Sequence, residues 1–307
     1  MASYVVTGGA GFIGSHIVEE LVKRGQDVKV IDDLSTGNRS NIKHILDKIT
    51  LVKGSIMSYS LLKKEFEGHD YVLHQAADVS VQNSMQNPAG TTKTNVLGTL
   101  KVLKAAKDAR VKRVVLASSC AVYGEHPTAV NETTMLKPLS PYAVSKLSAE
   151  SFAKLYNDIY GLETVSLRYF NVFGPRQDPK SQYAAVIPKF IKIMKGRRKP
   201  EIYGDGFQSR DFVYVSNVVD ACLLACNSVG VAGKVYNIGT GIGTDLNTLV
   251  KHLNKILEKN IQPTYSEPRT GDIMNSKANI GVAKNELGYF PKVDLVAGLK
   301  KTIESLK

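Results

Sequence analysis

Tyr142 and Lys146 stand four residues apart behind Ser140-Pro141, a spacing that puts both side chains on one face of a helix. Ser140 suits the cap of that helix and Pro141 its first turn. An ammonium one turn from a phenol favours the phenolate, and a tyrosine tuned that way can take a proton near neutral pH. Ser118 and Ser119 come shortly before the pair, and the hydroxyl of Ser119 could share the proton being moved. A tyrosine and a lysine at this spacing are common on solvated helix faces, so the pair gains meaning only from what precedes it.

What precedes it is a glycine turn. Gly9-Ala10-Gly11-Phe12-Ile13-Gly14 fits G-x-G-x-x-G, and Gly8 adds the wider spacing Gly8, Gly11, Gly14. The turn follows a strand-like run, Ser3–Thr7, and opens a helix whose Ile13, Ile17 and Leu21 recur every four residues up to Gly25. Glycines there let the backbone approach a pyrophosphate, whose charge meets the helix N-terminus. The next strand ends at Asp32, followed by Asp33. A carboxylate in that place accepts from ribose hydroxyls and repels a 2′-phosphate, so NAD is expected rather than NADP.

The elements that must position these groups read as alternating strands and helices. Strands are expected at Ser3–Thr7, Asp27–Ile31, Ile49–Lys53, Tyr71–Gln75, Arg113–Ser118 and Glu163–Arg168, each short and rich in β-branched residues. A helix is expected from Thr91 to Asp108, with Val96, Leu100 and Leu103 on one stripe, and another from Ser140. The pattern implies an α/β protein with a Rossmann-type doubly wound parallel sheet over residues 1–170, joined by part of 212–240. Residues 171–307, richer in turns, form a smaller, mostly C-terminal α/β substrate region.

Composition narrows the field further. The 307 residues are 43% hydrophobic and 22% charged, the balance of a globular chain. Cys120, Cys222 and Cys226 are too few for a disulfide scaffold and point to a reducing compartment, the cytoplasm. No apolar run is long enough to span a membrane and no leader opens the chain. The formal charge of +12 is spread thinly, with one dense cluster at Lys195–Lys199, so it reads as a solvated basic surface and not as a nucleic-acid interface. No metal site is expected: His74 ends a strand and reads as structural, and Cys222 and Cys226 share an apolar helical pattern.

At this point the chain resembles the extended short-chain dehydrogenases/reductases of the NAD-dependent epimerase/dehydratase family, and within it the UDP-hexose 4-epimerases. The matching pieces are Thr7–Gly14, His74-Gln75-Ala76-Ala77, Ser118–Gly124, Tyr142 with Lys146, Arg168–Arg176, Gly204-Asp205-Gly206, Arg210-Asp211-Phe212 and Arg269-Thr270-Gly271-Asp272. They occur in family order along essentially the whole chain.

The resemblance implies a set of roles. Gly8, Gly11, Phe12 and Ile13 would hold the cofactor diphosphate. Asp32, Asp33, Ser35, Thr36 and Gly37 would surround the adenosine ribose, with Ser55 and Ile56 at the adenine. Ser55 stands where relatives usually carry an acid, which weakens one adenine contact without touching the phosphate or ribose sites. Gln75, Ala76, Ala77, Asn95, Ser118 and Tyr169 would complete the cofactor site together with Tyr142 and Lys146. On the substrate side, Asn171 would hold the UDP-sugar diphosphate and Arg210 and Arg269 neutralise it. Asp272 would accept from the uridine ribose, Ala185, Val186, Lys189 and Tyr203 would line the nucleotide slot, and Ser80, Ser119 and Tyr142 would face the sugar. Four residues past Asp272, Ser276 falls where relatives place a gate beside the sugar C2 substituent; the other reading makes it a surface loop residue. The resemblance also implies a homodimer, paired through the helices near 91–108 and 142–160.

Within the family the chemistry divides on a few side chains. Dehydratases carry an Asp-Glu pair, and decarboxylating relatives a Glu, where this chain has Cys120 and Ala121, and UDP-uronate epimerases usually show Thr in place of Asn171. C4 epimerisation through a transient 4-keto sugar needs only Ser119, Tyr142, Lys146 and NAD. UDP-GlcNAc/UDP-GalNAc and UDP-glucose/UDP-galactose are the expected pairs. A net nucleotide-sugar oxidoreductase, a UDP-uronate 4-epimerase and, more remotely, a non-enzymatic NAD- or RNA-binding relative remain open alternatives.

Overall fold

Short β-branched runs buried on both faces make parallel strands, and the chain builds its central sheet from them. The computed structural model describes residues 1–178, 185–268 and 273–306. Strands β1 (Ser3–Thr7), β2 (Asp27–Asp32), β3 (Thr50–Lys53), β4 (Tyr71–His74), β5 (Arg113–Ser119) and β6 (Glu163–Tyr169) match the expected runs to within one residue. Later come β7 (Asn171–Phe173), β8 (Glu201–Tyr203), β9 (Ser209–Arg210), β10 (Phe212–Tyr214), β11 (Lys234–Ile238), β12 (Thr244–Asp245), β13 (Thr264–Ser266) and β14 (Asn275–Ser276). The main sheet has seven parallel strands in the order β11-β6-β5-β4-β1-β2-β3. Chain order reverses between β1 and β4, and the crevice outside that switch point is where such sheets bind ligands.

The helices are α1 (Phe12–Lys23), α2 (Tyr59–Phe66), α3 (Val81–Gln86), α4 (Pro88–Thr92), α5 (Gly98–Asp108), α6 (Pro141–Tyr160), α7 (Val186–Lys195), α8 (Val215–Asn227), α9 (Leu246–Leu257), α10 (Gly281–Leu287) and α11 (Leu295–Glu304). Alternate strand residues serve opposite cores. Val5, Ile31, Val72 and Val114 pack with α2, α5 and α6, whereas Val6, Val30, Leu73 and Val115 pack with α1 and α8. A third core, with Phe173, Phe190, Ile191, Leu249 and Leu299, joins α7, α9 and α11. The smaller pairings β10–β7, β8–β13 and β12–β9–β14 sit in this later part of the chain. No helix among the described residues is long and apolar enough to cross a membrane.

Two stretches differ from the sequence reading. The helix expected over Thr91–Asp108 is broken: α4 runs into a widened π turn at Lys93–Leu97 before α5 begins. The wide turn swings Asn95 inward, 2% exposed, where it bonds the backbone of Asp78 on both sides. Arg39–Lys48 is a tight 3-10 stretch that periodicity missed, because its buried residues, Ile42 and Ile45, follow a three-residue period.

Candidate active site

Helix α6 starts as its sequence dictates, with the Ser140 hydroxyl accepting from Ala143 N at 3.1 Å and Pro141 in the first turn. Its buried face carries Tyr142, Lys146 and Glu150 against the end of β5. Ser119 lies beside the Tyr142 hydroxyl and favours its anion, while Ser119 Oγ accepts from Ala121 N at 3.2 Å. Lys146 Nζ donates to the Ala117 carbonyl at 2.9 Å and lies 5.9 Å from the Tyr142 ring centre.

This geometry corrects one expectation. The lysine was expected to lower the phenol; instead burial pushes Tyr142 up to about 12, against the pull of Ser119. The ammonium is committed to a carbonyl instead of the phenol oxygen, and desolvation prevails. Burial also pulls Lys146 down to about 8, with Glu150 pushing it back up.

The cofactor side is built on close approach. A Cβ on Gly14 would lie 2.1 Å from the Gly8 carbonyl oxygen, so only glycine permits the turn. Gly11 caps α1 without a side-chain hydrogen bond, and Phe12 and Ile13 open its first turn. Asp32 takes bonds from Ala10 N (2.9 Å) and Leu34 N (2.8 Å), and burial raises its carboxyl despite them. Gly37 folds back over Asp32, a Cβ there falling 2.7 Å from its Oδ1. Asp33 Oδ1 is engaged by Ser35 N (3.0 Å) and Oγ (2.6 Å), with exposed Thr36 alongside. Ser55 Oγ accepts from Met57 N at 3.3 Å, and Ile56 is buried against Gly98. Ala76 and Ala77 follow β4 at half-buried positions. Gln75 presents a buried Nε2 with no protein partner, and its Oε1 accepts from Tyr169 OH at 3.3 Å. Glycine cradle, strand-end carboxylate and unsatisfied carboxamide donor fit an NAD molecule.

Three assigned side chains are spent within the protein. Ser118 donates its hydroxyl to Glu150, and Asn95 bonds Asp78 and the Ser145 hydroxyl (3.0 Å). Ser80 caps α3 by accepting from Asn83 N at 2.9 Å. His74 is also internal, between Thr7 Oγ1 (2.7 Å) and Thr99 Oγ1 (3.1 Å), and burial drops it to about 3.

On the substrate side, Asn171 has a buried Nδ2 without a partner, while its backbone N–H donates to Asp211 O at 3.0 Å. Ala185 precedes α7, which begins at Val186, and Lys189 Nζ lies 6.0 Å from the Tyr203 ring centre. Arg210 pairs in register with Ser276 across β9–β14. Arg269 and Asp272 lie outside the described residues. Ser276 is 9% exposed and part of a strand, which rules out the surface-loop reading. Its hydroxyl contacts Cys120 Sγ at 3.8 Å, beside a cleft walled by Gly124, His126 and Phe170. Burial pushes the Cys120 thiol up to about 11, leaving it protonated.

Two groups escaped the sequence reading. Asp211, fully buried, takes bonds from Thr240 N and Oγ1 (both 2.7 Å), Gly241 N (2.9 Å) and Ala278 N (3.2 Å), tying the loops around Ser276 together. Its place after Arg210 was the one available signal. Glu150 and Arg168 form a buried bidentate pair, for which four-residue spacing from Lys146 was the signal. Among the described residues no cluster of His, Cys, Asp or Glu is placed to hold a metal ion.

A doubly wound sheet with a glycine cradle at its switch point and a Ser-Tyr-Lys set at the strand ends defines an NAD-dependent enzyme of the extended short-chain dehydrogenase/reductase class. The NAD dependent epimerase/dehydratase family model matches residues 4–239, and the chain belongs to that family. It is 42% identical over 306 residues to a putative UDP-glucose 4-epimerase of Methanocaldococcus jannaschii, covering 99% of this chain and 98% of that one. Among solved structures, it is similar to a UDP-glucose 4-epimerase of Thermotoga maritima with UDP-glucose (TM-score 0.94, 39% identity, 99% and 98% of the two chains). It is equally similar to a UDP-N-acetylglucosamine 4-epimerase of Methanobrevibacter ruminantium in complex with UDP-N-acetylmuramic acid (TM-score 0.95, 40% identity, 99% and 98%).

Proposed function

We propose that the protein interconverts UDP-hexoses at C4, taking both the N-acetylated pair UDP-GlcNAc/UDP-GalNAc and UDP-glucose/UDP-galactose. The observation that carries this reading is the contact of Ser119 with Tyr142 beside Lys146, with Cys120 and Ala121 in place of acid–base groups. The glycine turn, Asp32 and Gln75 would hold NAD, which when bound would supply a hydride acceptor for C4 and a positive charge beside the phenol.

Tyr142 takes the proton of the sugar 4-hydroxyl and later gives it back. Ser119 donates to the reacting oxygen, and Lys146 holds the nicotinamide ribose and lends charge. Asn171 offers its unpartnered amide to the diphosphate, and Arg210 adds a cation. Arg269 and Asp272 are assigned to the diphosphate and the uridine ribose. The anchored nucleotide lets the 4-keto sugar turn over within the site. Serine at 276 leaves room beside C2 for an N-acetyl group. Pairing into a homodimer fits the outward face of α6, where Val144, Leu155 and Ile159 are 45–65% exposed.

Purified protein given UDP-GlcNAc and UDP-glucose in parallel, with C4 configuration read by NMR, tests the reading. Both C4 epimers are expected from each. Stoichiometric growth of the reduced-nicotinamide absorbance without epimer would show a net oxidoreductase instead.

A further inference from the structure

Three successive positions at the end of β5 are each held by a different residue of α6. The Ala117 carbonyl accepts from Lys146, the Ser118 hydroxyl donates to Glu150, and Ser119 meets Tyr142. The three helix residues recur every four positions and so stack along one face. Two of them, Tyr142 and Lys146, have roles in the chemistry proposed above. Glu150 does not.

Glu150 is 5% exposed. Arg168, arriving on β6, grips its carboxylate with Nε on Oε1 at 2.9 Å and Nη2 on Oε2 at 2.7 Å. A bidentate guanidinium fixes a carboxylate in place as well as in charge. The guanidinium is itself held, because Arg168 Nη1 donates to Tyr123 OH at 2.8 Å and that hydroxyl donates to Asn237 Oδ1 at 2.7 Å. The groups facing Lys146 are Tyr142 and Glu150 on its own helix, the Ala117 carbonyl from β5 and His74 from β4. His74 is neutral at working pH, so Glu150 is the anion that Lys146 faces.

We propose that Glu150 is a positioning residue for the epimerisation: its carboxylate, fixed by Arg168 and Ser118, keeps the Lys146 ammonium charged and seated on the Ala117 carbonyl. This rests on the UDP-sugar 4-epimerase reading and deepens it. Burial alone favours a neutral lysine, and the opposed carboxylate restores the cation. A neutral side chain at 150 removes the opposition and leaves burial unchecked.

The test follows the titration of Lys146 by NMR in protein labelled with 15N-lysine and free of substrate, alongside the pH profile of epimerisation. Glu150→Gln is expected to move the Lys146 titration, and the alkaline limb of kcat/KM, down by about 1 pH unit. Glu150→Asp, which keeps the charge, should leave both in place. Should Glu150→Gln fail to fold around an unpaired Arg168, the double variant Glu150→Gln with Arg168→Met removes both charges and carries the same expectation. A Lys146 titration unmoved by Glu150→Gln, or moved equally by Glu150→Asp, overturns the proposal. Wild-type protein that epimerises no UDP-sugar would sink the substrate reading alone, and the titration would still decide the role of Glu150.

Discussion

Ser276 and Cys120 touch, hydroxyl to thiol at 3.8 Å, although 156 positions separate them in the chain. Cys120 directly follows the serine beside Tyr142, so under the proposed reading residue 276 borders the sugar. Ser276→Tyr is expected to depress activity on UDP-GlcNAc while largely sparing UDP-glucose. Overpacking of that size costs roughly 1–3 kcal/mol, or about 5- to 150-fold in relative kcat/KM. Parallel kinetics on the two substrates check it, and equal losses would mean that residue 276 does not face the acetamido group.

Tyr142→Phe keeps the ring in its buried site and removes the oxygen that Ser119 serves. Folding and NAD binding should persist while turnover falls at least ~100-fold, the usual loss for an acid–base group. Calorimetry with NAD and a C4 assay separate the two effects. Ordinary turnover in this variant would remove Tyr142 from the chemistry.

His74 gives the fold a dependence on acidity. Its ring is held near 3 by burial, against about 6.5 when unfolded. Between those values the unfolded chain binds the extra proton, so stability rises with pH and is lost as pH falls below about 6.5. The slope from this one group approaches about 1.4 kcal/mol per pH unit. Urea melts from pH 7 to pH 5 should show it, and His74→Gln, which can hydrogen-bond but cannot charge, should flatten it. An unchanged slope would assign the acid sensitivity to other groups.

The exposed side chains of α6 make a further case. Val144, Leu155 and Ile159 lie on one outward stripe, 50%, 45% and 65% exposed. Light scattering at micromolar concentration should report a dimer, and Leu155→Glu should give a folded monomer. A wild-type monomer would contradict the pairing.

Much of the fold was legible because its signals are local. The strand ends follow β-branched runs, the phosphate turn follows its glycines, and Tyr142 and Lys146 follow from helical spacing. What stayed hidden depends on contacts between distant residues. Nothing near Asp211 in the sequence shows that Thr240, Gly241 and Ala278 converge on it. The carboxylate that Arg168 holds sits on another element. The burial that raises Tyr142 is hidden in the same way: proximity to a lysine can be read from spacing, whereas burial cannot. Strands of two or three residues, such as β9 and β14, carry no periodicity to read.

Strand β11 lies beside β6, yet its residues leave the ribosome only after all of α7 and α8. A nascent chain that has already made Ser119, Tyr142 and Lys146 still shows β6 as an open edge, with amides and carbonyls awaiting a neighbour. Synthesis halted near residue 200 would therefore yield a chain bearing the catalytic set and an adhesive border. Such a fragment is expected to associate through that edge.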